Sequence, residues 1–501
     1  MSYFVCLHRP GGDPVTERDR NRVSALIGRR GLRRGPWVTE GSFAATAVGT
    51  RLGSSPSIVS VGSLVLAGTV RLDNREELVR ELGGLRDASD LEVVGAYLRE
   101  RGSKSLDGLI GDFVFVCWDG RTRTLLAARD SLGVRHLFWS PARDGLAAFG
   151  THASLLADGG ACSLEYIART FSYGDYGDFT VHEGVRRVPA ATTVTMHGGR
   201  VVVDRYWSPE NLPTGVGQAR TEDEHIDEFR EEFEQAVRRR LPDGGCVWAE
   251  LSGGLDTSSI VMTAEHLHRR GAVPTRIAGT ITYSDSLGSG DESRYVSAVL
   301  SESGLPNHEL KDYCPWQDDG EYPLETEFPA SGTIFWASAR RRDGLLEDAD
   351  VVLSGAGGDY VVGGNPYFFA DWVARGHILK AWREMFRWSV LGRESIWRLA
   401  MDSAIAPLLP RVARSRVVSQ DDPVVPSWVA ADFRRRYAMD DHARSRRVGG
   451  LKNRGGQRYY EVLANQIKAV EFASPQCDPL IDYEWRYPFL DRRLAELVLR
   501  L

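Results

Sequence analysis

The chain of 501 residues carries 62 lysines and arginines against 68 aspartates and glutamates, and its net charge of −6 excludes a general attraction to nucleic acid or anionic membranes. Its length fits two or three domains, and a content of 42% hydrophobic and 26% charged residues is ordinary for a globular protein with a large core. Six scattered cysteines form no CxxC pair, and no apolar run is long enough for a signal peptide or a membrane span, so we expect a cytoplasmic protein without a zinc site or a disulfide framework.

The first two hundred residues are predicted to form strands and turns. Short apolar and β-branched runs alternate there with turns that contain Gly, Asp or Arg. These runs lie at 59–61, 63–70, 113–118, 124–128 and, as a hairpin, at 194–203. A segment rich in Pro and Gly follows Ser208 and interrupts this pattern. We therefore predict one domain over residues 1–208, a linker at 209–220 and a second domain over 221–501.

The second domain is predicted to alternate strands with helices. Thr221 and Glu224 form a capping box before apolar residues at helical spacing. The strands are predicted at 246–251, 276–283 and 350–353, and further helices at 257–270 and 291–302. This alternation indicates a parallel sheet with helical cover. The chain after about residue 366 is predicted to be mostly helical, with arginine-rich exposed loops between 411 and 456.

A glycine loop lies between the first of these strands and the helix that follows it. Its sequence is SGGLDTS, from Ser252 to Ser258. Glycines let the backbone approach a ligand and expose N–H groups, and the helix points its positive dipole end into the same space. We therefore predict a pyrophosphate site in which Asp256 binds Mg²⁺, because a carboxylate beside bare phosphate would be repelled. A helix-capping turn is the alternative, and this loop alone does not decide between them.

A second glycine loop follows the strand predicted at 350–353. Its sequence is SGAGGD, from Ser354 to Asp359. Ligands of open parallel sheets lie beyond the carboxyl ends of the strands. If both strands belong to one sheet, Asp256 and Asp359 meet at one metal ion. Two such loops in this order favour nucleotide binding over two unrelated turns.

The motifs are similar to those of a known family. SGGLDTS resembles the SGGxDS pyrophosphate motif of the ATP-pyrophosphatase superfamily, and SGAGGD resembles the second Asp loop of its asparagine-synthetase branch. Similar stretches are also found at 71–78 (RLDNREEL), 111–113 (GDF), 128–139 (ARDSLGVRHLFW) and 484–491 (EWRYPFLD). The resemblance spans nearly the whole chain. It implies an N-terminal glutaminase-like αββα sandwich of Ntn type, without activity, and a C-terminal synthetase domain with the parallel sheet of the adenine-nucleotide α-hydrolase-like fold.

The resemblance also implies a reaction and the residues that carry it. In the family a carboxylate attacks the α-phosphorus of ATP, pyrophosphate leaves, and an amine then converts the acyl-adenylate into an amide. By position, the implied ATP-binding residues are Leu251, Ser252, Gly253, Gly254, Asp256, Thr257, Ser258, Thr282, Ser354 and Gly355. Of these, Leu251, Thr282 and Gly355 lie where the family contacts the adenosine part, and the first loop holds pyrophosphate. The implied cofactors are ATP and Mg²⁺, with Asp256 and Asp359 as the metal ligands.

Two further acidic residues follow the second strand of the domain. Asp291 and Glu292 could place a general base or hold the substrate amine, and we count them with Asp256 and Asp359 as catalytic candidates. Acidic residues are also favoured at a helix N-terminus for purely structural reasons. Both interpretations remain open at this point.

The source of the amine separates the branches of the family. Asparagine synthetases release ammonia from glutamine with an N-terminal cysteine, but position 2 here is Ser2 and the nearest cysteine is Cys6. Asn74 retains the family's substrate-cradling position. A hydroxyl N-terminal nucleophile is conceivable but much weaker than a thiol. We therefore expect the first domain to be a structural sandwich, and the amine to belong to the substrate.

Two branches use an amine of the substrate itself, the β-lactam synthetases and the lasso peptide cyclases. The β-lactam branch has a catalytic tyrosine at the position of Ala356, and a methyl group cannot transfer protons. The sequence therefore most resembles a lasso peptide cyclase, which joins a side-chain Asp or Glu carboxylate of a core peptide to the N-terminal amine of that peptide. The implied partners are a precursor peptide, a leader-binding protein and a leader peptidase. A small-molecule amide or β-lactam synthetase and a non-catalytic scaffold are the alternatives.

Two departures from the family pattern concern the catalytic end of the domain. The carboxylate that usually follows the second Asp is Tyr360 here. Family members continue past the position of Leu501 with a tail that carries a lysine, and we expect this chain to lack that tail. A cation there would offset charge on the acyl-adenylate and pyrophosphate. Lys468 is the nearest candidate, although a solvated helix lysine is the simpler interpretation.

Overall fold

A computed structural model of the chain describes residues 3–49, 58–157, 161–172, 177–208, 221–284, 292–311, 346, 348–362, 366, 368–409, 425–441 and 483–500. Its described elements form an antiparallel N-terminal domain and a parallel C-terminal domain. Among the described residues, no helix is both long and apolar enough to cross a membrane.

The N-terminal domain contains two antiparallel sheets. The first has the strand order β11-β9-β10-β1-β4-β2, with β3 also paired to β4, and the second has the order β13-β12-β8-β7-β6-β5. The strands are β1 (Tyr3–His8), β2 (Arg33–Arg34), β3 (Val38–Glu40), β4 (Phe43–Gly49), β5 (Ile58–Val61), β6 (Leu64–Leu72), β7 (Gly111–Asp119), β8 (Thr124–Arg129), β9 (Phe138–Arg143), β10 (Leu146–Gly150), β11 (Arg186–Arg187), β12 (Thr192–His197) and β13 (Arg200–Arg205). The expected hairpin is β12–β13, where Gly198 and Gly199 have φ of +55° and +75° as a tight primed turn requires.

Helices cover the outer faces of these two sheets. The helices of the domain are α1 (Glu17–Arg29), α2 (Arg75–Leu82), α3 (Asp90–Arg101) and α4 (Leu164–Phe171), of which α4 packs instead against residues 425–439. Phe4 and Phe43 of the first sheet pack with Val116 of the second, so one core lies between the sheets. Val23 and Ile27 of α1 pack on the outer face of the first sheet, and α3 packs on the outer face of the second. The predicted αββα sandwich is confirmed.

The C-terminal domain is built on a parallel sheet of order β16-β15-β14-β17-β18. Its strands are β14 (Val247–Glu250), β15 (Ile277–Ser284), β16 (Asn307–Lys311), β17 (Val351–Leu353) and β18 (Glu484–Arg486). Around the sheet lie α5 (Glu222–Arg240), α6 (Leu255–Arg269), α7 (Ser293–Ser303) and α8 (Gly358–Val361). Thr221 and Glu224 cap α5 reciprocally, as their spacing predicts. The parallel sheet and its helical cover are confirmed, whereas β16 and β18 were not predicted because both runs are short and rich in polar residues.

The chain after residue 366 is mostly helical where it is described, as expected, with β18 as the exception. The helices are α9 (Phe368–Ala374), α10 (Ile378–Gly392), α11 (Ile396–Leu399), α12 (Ala431–Arg436) and α13 (Arg492–Arg500). The segment from 400 to 408 continues α11 as a π turn and a 3₁₀ turn. Most of the arginine-rich stretch between 411 and 456 lies outside the described residues.

Buried ion pairs join the two domains. Arg240, at the end of α5 and 1% exposed, lies 3.1 Å from Asp73 of the sandwich and 2.6 Å from Asp491 before α13. Arg71 bonds to Asp73 at 2.6 Å and to Asp112 at 2.5 Å. Burial alone would raise the pKa of Asp73, but Arg240 and Arg71 lower it to about 2. Each of these buried charges has an opposite partner, and the pairs connect the sandwich to the end of α5 and to the residue before α13.

Candidate active site

Two glycine loops begin side by side at one edge of the parallel sheet. β14 and β17 are hydrogen-bonded neighbours, with Val247 opposite Val351 and Ala249 opposite Leu353. The carboxyl ends of neighbouring parallel strands open at the same edge, so the loop after β14 and the loop after β17 share one space. β15 and β16 lie between the two loops in sequence. The loops are therefore close in space only because β14 and β17 are neighbours in the sheet.

Hydroxyl groups hold the first loop in shape. The backbone N–H of Ser252 donates to Oγ1 of Thr257 at 3.0 Å, and the N–H of Gly254 donates to Oγ of Ser252 at 3.2 Å. Gly253 has φ of +88°, and a Cβ there would come within 2.9 Å of the carbonyl oxygen of Glu292. A side chain at position 253 is therefore disfavoured by both conformation and space. The loop is a preformed turn that leads directly into the amino end of α6.

The second loop repeats this arrangement and is tied to the first. Oγ of Ser354 accepts from the N–H of Ala356 at 3.2 Å, as Ser252 accepts from the amide two residues on. The same hydroxyl donates to Oε2 of Glu250 at 2.6 Å. Glu250 is the last residue of β14 and Ser354 is the first residue after β17. This hydrogen bond therefore fastens the bases of the two loops to each other.

The structure brings Asp256 and Asp359 together. The carboxylate of Asp256, in the first turn of α6, accepts a hydrogen bond from the backbone N–H of Asp359 in α8. Burial and then the negative charge of Asp359 raise the pKa of Asp256 above its usual value. A Cβ built on Gly358 would lie 2.2 Å from Cγ of Asp256. Only glycine at position 358 therefore lets the two loops approach this closely.

The two carboxylates fit a divalent cation that prefers oxygen ligands. Mg²⁺ is commonly held by one or two carboxylates, with phosphate oxygens and water completing its shell. A cation bound between Asp256 and Asp359 would remove the repulsion that raises the pKa of Asp256. Within the described parts of the chain, no group of three or more His, Cys, Asp or Glu side chains that could hold a metal is present.

Both loops open into one cavity of about 1220 Å³. Among its lining residues are ten from the loops and their surroundings, Glu250, Ser252, Gly254, Asp256, Thr257, Glu292, Ser354, Gly355, Gly358 and Asp359. A second wall is formed by Trp485 and Tyr487, at β18, and by Phe489, which follows. The volume exceeds the roughly 300–1,000 Å³ of ordinary small-molecule sites. The cavity therefore has room for a nucleotide and part of a second substrate.

Four described residues implied by the resemblance, Leu251, Gly253, Ser258 and Thr282, are not among those that line this cavity. Leu251 and Thr282 are buried at the ends of β14 and β15, where Oγ1 of Thr282 donates to the carbonyl oxygen of Leu251 at 2.8 Å. Their contact with adenosine stays a prediction. Oγ of Ser258 is buried and has no hydrogen-bond partner among the described residues, and its contact with pyrophosphate also stays a prediction. Glu292 is the N-cap residue of α7 and lines the cavity, whereas Asp291 lies outside the described residues.

Several residues of the site were not predicted from the sequence. Glu250 occupies a strand position with no motif of its own, and its role is visible only through Ser354. Gly358 stands in the visible glycine pair of SGAGGD, but the contact that requires it comes from Asp256. Glu484 forms an ion pair with Arg486 at 2.9 Å, and Arg135 of the sandwich also bonds Glu484. Although burial would raise the pKa of Glu484, these arginines lower it well below its usual value.

Two described residues of the sandwich domain, Cys6 and Asn74, bear on the question of glutaminase chemistry. Cys6 lies on β1, fully buried between the sheets, and burial raises the pKa of its thiol well above the usual value. The amide of Asn74 is held by the backbone, since Nδ2 donates to the carbonyl oxygen of Gly108 at 2.8 Å and Oδ1 accepts from the N–H of Ile110 at 3.1 Å. Ser2 lies outside the described residues. Cys6 and Asn74 therefore act in the packing of this domain.

Comparison with known proteins assigns a family to each domain. A family model described as asparagine synthase matches residues 228–501, and one described as a glutamine amidotransferase domain matches residues 46–207. The amidase chry2 of Gibberella zeae and the amidase chyE of Penicillium rubens are each 28% identical over 304 residues, which cover 56% of this chain and 44% of each relative. The asparagine synthetase [glutamine-hydrolyzing] 3 of Bacillus subtilis is 25% identical over 344 residues, 61% of this chain and 52% of that protein. The chain thus spans about half the length of the curated relatives it matches.

Proposed function

Since the chain belongs to the asparagine synthase family and carries a glutamine amidotransferase domain, we propose that it is an ATP-dependent ligase that forms amide bonds, with AMP and pyrophosphate as the other products. The observation that supports this most is the contact between the Asp256 carboxylate and the backbone N–H of Asp359. It places two acidic groups beside a glycine loop and the amino end of a helix. Such an arrangement suits a metal-bound triphosphate.

The residues of the cavity would have distinct roles in binding ATP and in the reaction. The first loop and the amino end of α6 bind the pyrophosphate part of ATP, and Asp256 and Asp359 hold Mg²⁺. When bound, the metal would supply positive charge that stabilises the departing pyrophosphate. The substrate carboxylate attacks the α-phosphorus, its oxygen forms the new P–O bond, and pyrophosphate leaves. Glu292, at the N-terminus of α7, lies at the same cavity and is the described candidate for accepting a proton from the amine.

The amine is proposed to come from the acid substrate itself. The cysteine nearest the N-terminus, Cys6, is buried and its raised pKa keeps it a thiol, and the Asn74 amide is committed to backbone groups. A domain in this state supplies no ammonia from glutamine. A ring-closing or peptide-joining reaction needs no such supply.

We propose the finer activity of a lasso peptide cyclase. In this reaction the adenylated side chain of Asp or Glu in a core peptide is attacked by the peptide's own N-terminal amine, AMP leaves, and a macrolactam forms. Ala356 lines the cavity at the position where the β-lactam branch needs a tyrosine for proton transfer, which disfavours that branch. A large cavity also suits a peptide better than a single amino acid. The peptide would be freed from its leader by a leader peptidase with a leader-binding protein.

The test is the reaction itself. The full chain is incubated with ATP, Mg²⁺ and a precursor peptide together with its processing partners, and products are followed by mass spectrometry. A peptide lighter by one water, with AMP and pyrophosphate, supports the cyclase, and formation of ADP would refute adenylation. Pyrophosphate exchange with a β-amino acid but not with a peptide would favour the small-molecule ligase. Asp256→Asn, which keeps the size of the side chain and removes its charge, is the variant expected to lose this activity.

A further inference from the structure

The cavity extends beyond the two loops into a groove between α5 and α6. Its lining there consists of Ile226, Phe229, Arg230, Phe233 and Glu234 from α5 and of Ser259, Met262, Thr263 and His266 from α6. The α6 residues recur at intervals of three and four positions, so they form one face of that helix. None of the motifs that indicate nucleotide binding includes these residues. The groove is therefore a second part of the cavity, lined by residues outside the two glycine loops.

The groove is long enough for an extended chain. It follows α6 from Asp256 to His266, and at 1.5 Å per residue this distance is about 15 Å. Glu234 of α5 bonds Arg270, just after α6, at 2.8 Å, which shows that the two helices stay side by side along this length. An extended peptide advances roughly 3.3–3.6 Å per residue. About four residues would therefore fit along the groove.

The floor of the groove is apolar. The rings of Phe229 and Phe233 stack with centroids 6.1 Å apart, and Phe233 packs on Phe489 at 4.9 Å. Together with Met262 they form a continuous hydrophobic surface that begins beside the carboxylate pair. A ligand that buries this surface gains the free energy of removing apolar area from water.

Exposed apolar side chains line the mouth of the same cavity. Leu255, in the first loop, is 86% exposed, Ile226 is 47% exposed and Val362 is 42% exposed. Scattered surface leucines need no explanation, but three apolar side chains around one cavity mark a binding surface. The polar side chains at the rim of the groove are those of Arg230, Glu234 and His266. The composition thus suits a ligand with apolar side chains and a polar backbone.

We propose that the groove between α5 and α6 binds an extended apolar segment of the substrate, next to the carboxylate that is activated at Asp256 and Asp359. This inference rests on the proposed function and adds a substrate class to it, a peptide whose reactive Asp or Glu is flanked by apolar residues. Ile226, Phe229, Met262 and Thr263 are then specificity-determining residues. A free amino acid would leave this surface exposed.

Direct binding and exchange are measured with the full chain and two peptides. Both are C-terminally amidated pentapeptides with a central aspartate, one with leucine and the other with serine at all other positions. Calorimetry gives the Kd of each peptide, and pyrophosphate exchange with ATP and Mg²⁺ gives the rate of activation. The variants are Thr263→Trp, which fills the groove, and Ile226→Asp, which places a charge at an exposed position. The matched control is Arg269→Trp, exposed at the end of the same helix.

The leucine peptide is expected to bind the unchanged chain at least about 10-fold more tightly than the serine peptide, because several leucines lose their contact with water. Thr263→Trp and Ile226→Asp remove this preference, and Arg269→Trp retains it. Equal Kd values for the two peptides, or a preference that both groove variants retain, would overturn the proposal that the groove binds an apolar segment. Preferential binding of the leucine peptide without any pyrophosphate exchange would instead support peptide binding in the groove and contradict the proposed ligase function.

Discussion

The carboxylate of Asp256 accepts a hydrogen bond from the backbone N–H of Asp359, while the charge of the Asp359 side chain repels it. The amide favours the ionised form of Asp256, and burial and repulsion disfavour it. The net effect is a raised pKa, so the two loops hold a carboxylate pair that a cation would stabilise. This relationship gives rise to the first two predictions.

Asp256→Asn is expected to lower pyrophosphate exchange by at least about 100-fold, because a metal's stabilisation of developing charge is worth several kcal/mol. The same substitution should raise the melting temperature of the metal-free protein slightly, since it removes the repulsion by Asp359. Exchange assays and calorimetric melting measure the two effects. Asp243→Asn, an exposed carboxylate before β14, should change neither. Full exchange activity in the Asp256 variant would exclude the metal role.

The affinity for Mg²⁺ is expected to fall as the pH is lowered, beginning above the ordinary aspartate pKa of 3.8. The folded chain raises the pKa of Asp256, so the folded state binds this proton more tightly than the unfolded state. Without metal, this group therefore costs stability above its folded pKa and stops costing it as the pH falls. Titrations of Mg²⁺ followed by calorimetry between pH 4 and 8 test this. An affinity that stays constant down to pH 4 would contradict the raised pKa.

Gly358→Ala is expected to abolish activity while the chain stays folded. Its Cβ would lie 2.2 Å from Cγ of Asp256, so the carboxylate must move or the loop must shift. Far-UV circular dichroism reports the fold, and pyrophosphate exchange reports the site. Gly28→Ala, in α1, is a matched control, because nothing lies within 4 Å of a Cβ at that position and neither Gly28 nor Gly358 has a positive φ. Equal activity in the two variants would show that the contact between position 358 and Asp256 does not matter.

Arg240→Met is expected to lower the free energy of unfolding by up to about 3–5 kcal/mol, because the buried carboxylates of Asp73 and Asp491 would each lose one of two arginine partners and keep only Arg71 and Arg239. Urea unfolding followed by circular dichroism measures the change. Arg435→Met removes one member of the exposed pair with Asp432, and should cost less than about 1 kcal/mol. A loss at Arg240 as small as that at Arg435 would show that the interdomain pairs do not hold the domains together.

Alkylation is expected to spare Cys6 and Cys117 in the folded chain at pH 8, and to modify the exposed Cys162. Burial raises the pKa of the Cys6 thiol well above its usual value and that of Cys117 to about 12, so neither forms the reactive thiolate. Iodoacetamide treatment followed by peptide mass mapping shows which sites react. In the same preparation, glutamine should give no glutamate. Rapid labelling of Cys6 or release of glutamate would restore a glutaminase role to the sandwich.

Much of the fold could be predicted from local patterns. The hairpin of β12 and β13, the capping box of Thr221 and Glu224, and the strands before the two glycine loops depend on residues close together in sequence. β16 and β18 could not be predicted, because they are short and polar and are strands only through their neighbours β15 and β17. The same limit applies to Glu250, whose bond to Ser354 exists only because β14 and β17 are adjacent.

The sequence by itself determined the two glycine loops, the carboxylates they carry and the family they resemble, because backbone conformation at Gly253 and Gly357 is set by a local need for positive φ. Only the tertiary structure decided that Asp256 and Asp359 share one cavity, and that Gly358 must lack a side chain. It also decided that Cys6 is buried beyond the reach of substrate and that a hydrophobic groove extends from the two loops along α6. The physical reason is that each of these properties depends on contacts between segments far apart in the chain, which packing and strand order establish and no local pattern encodes.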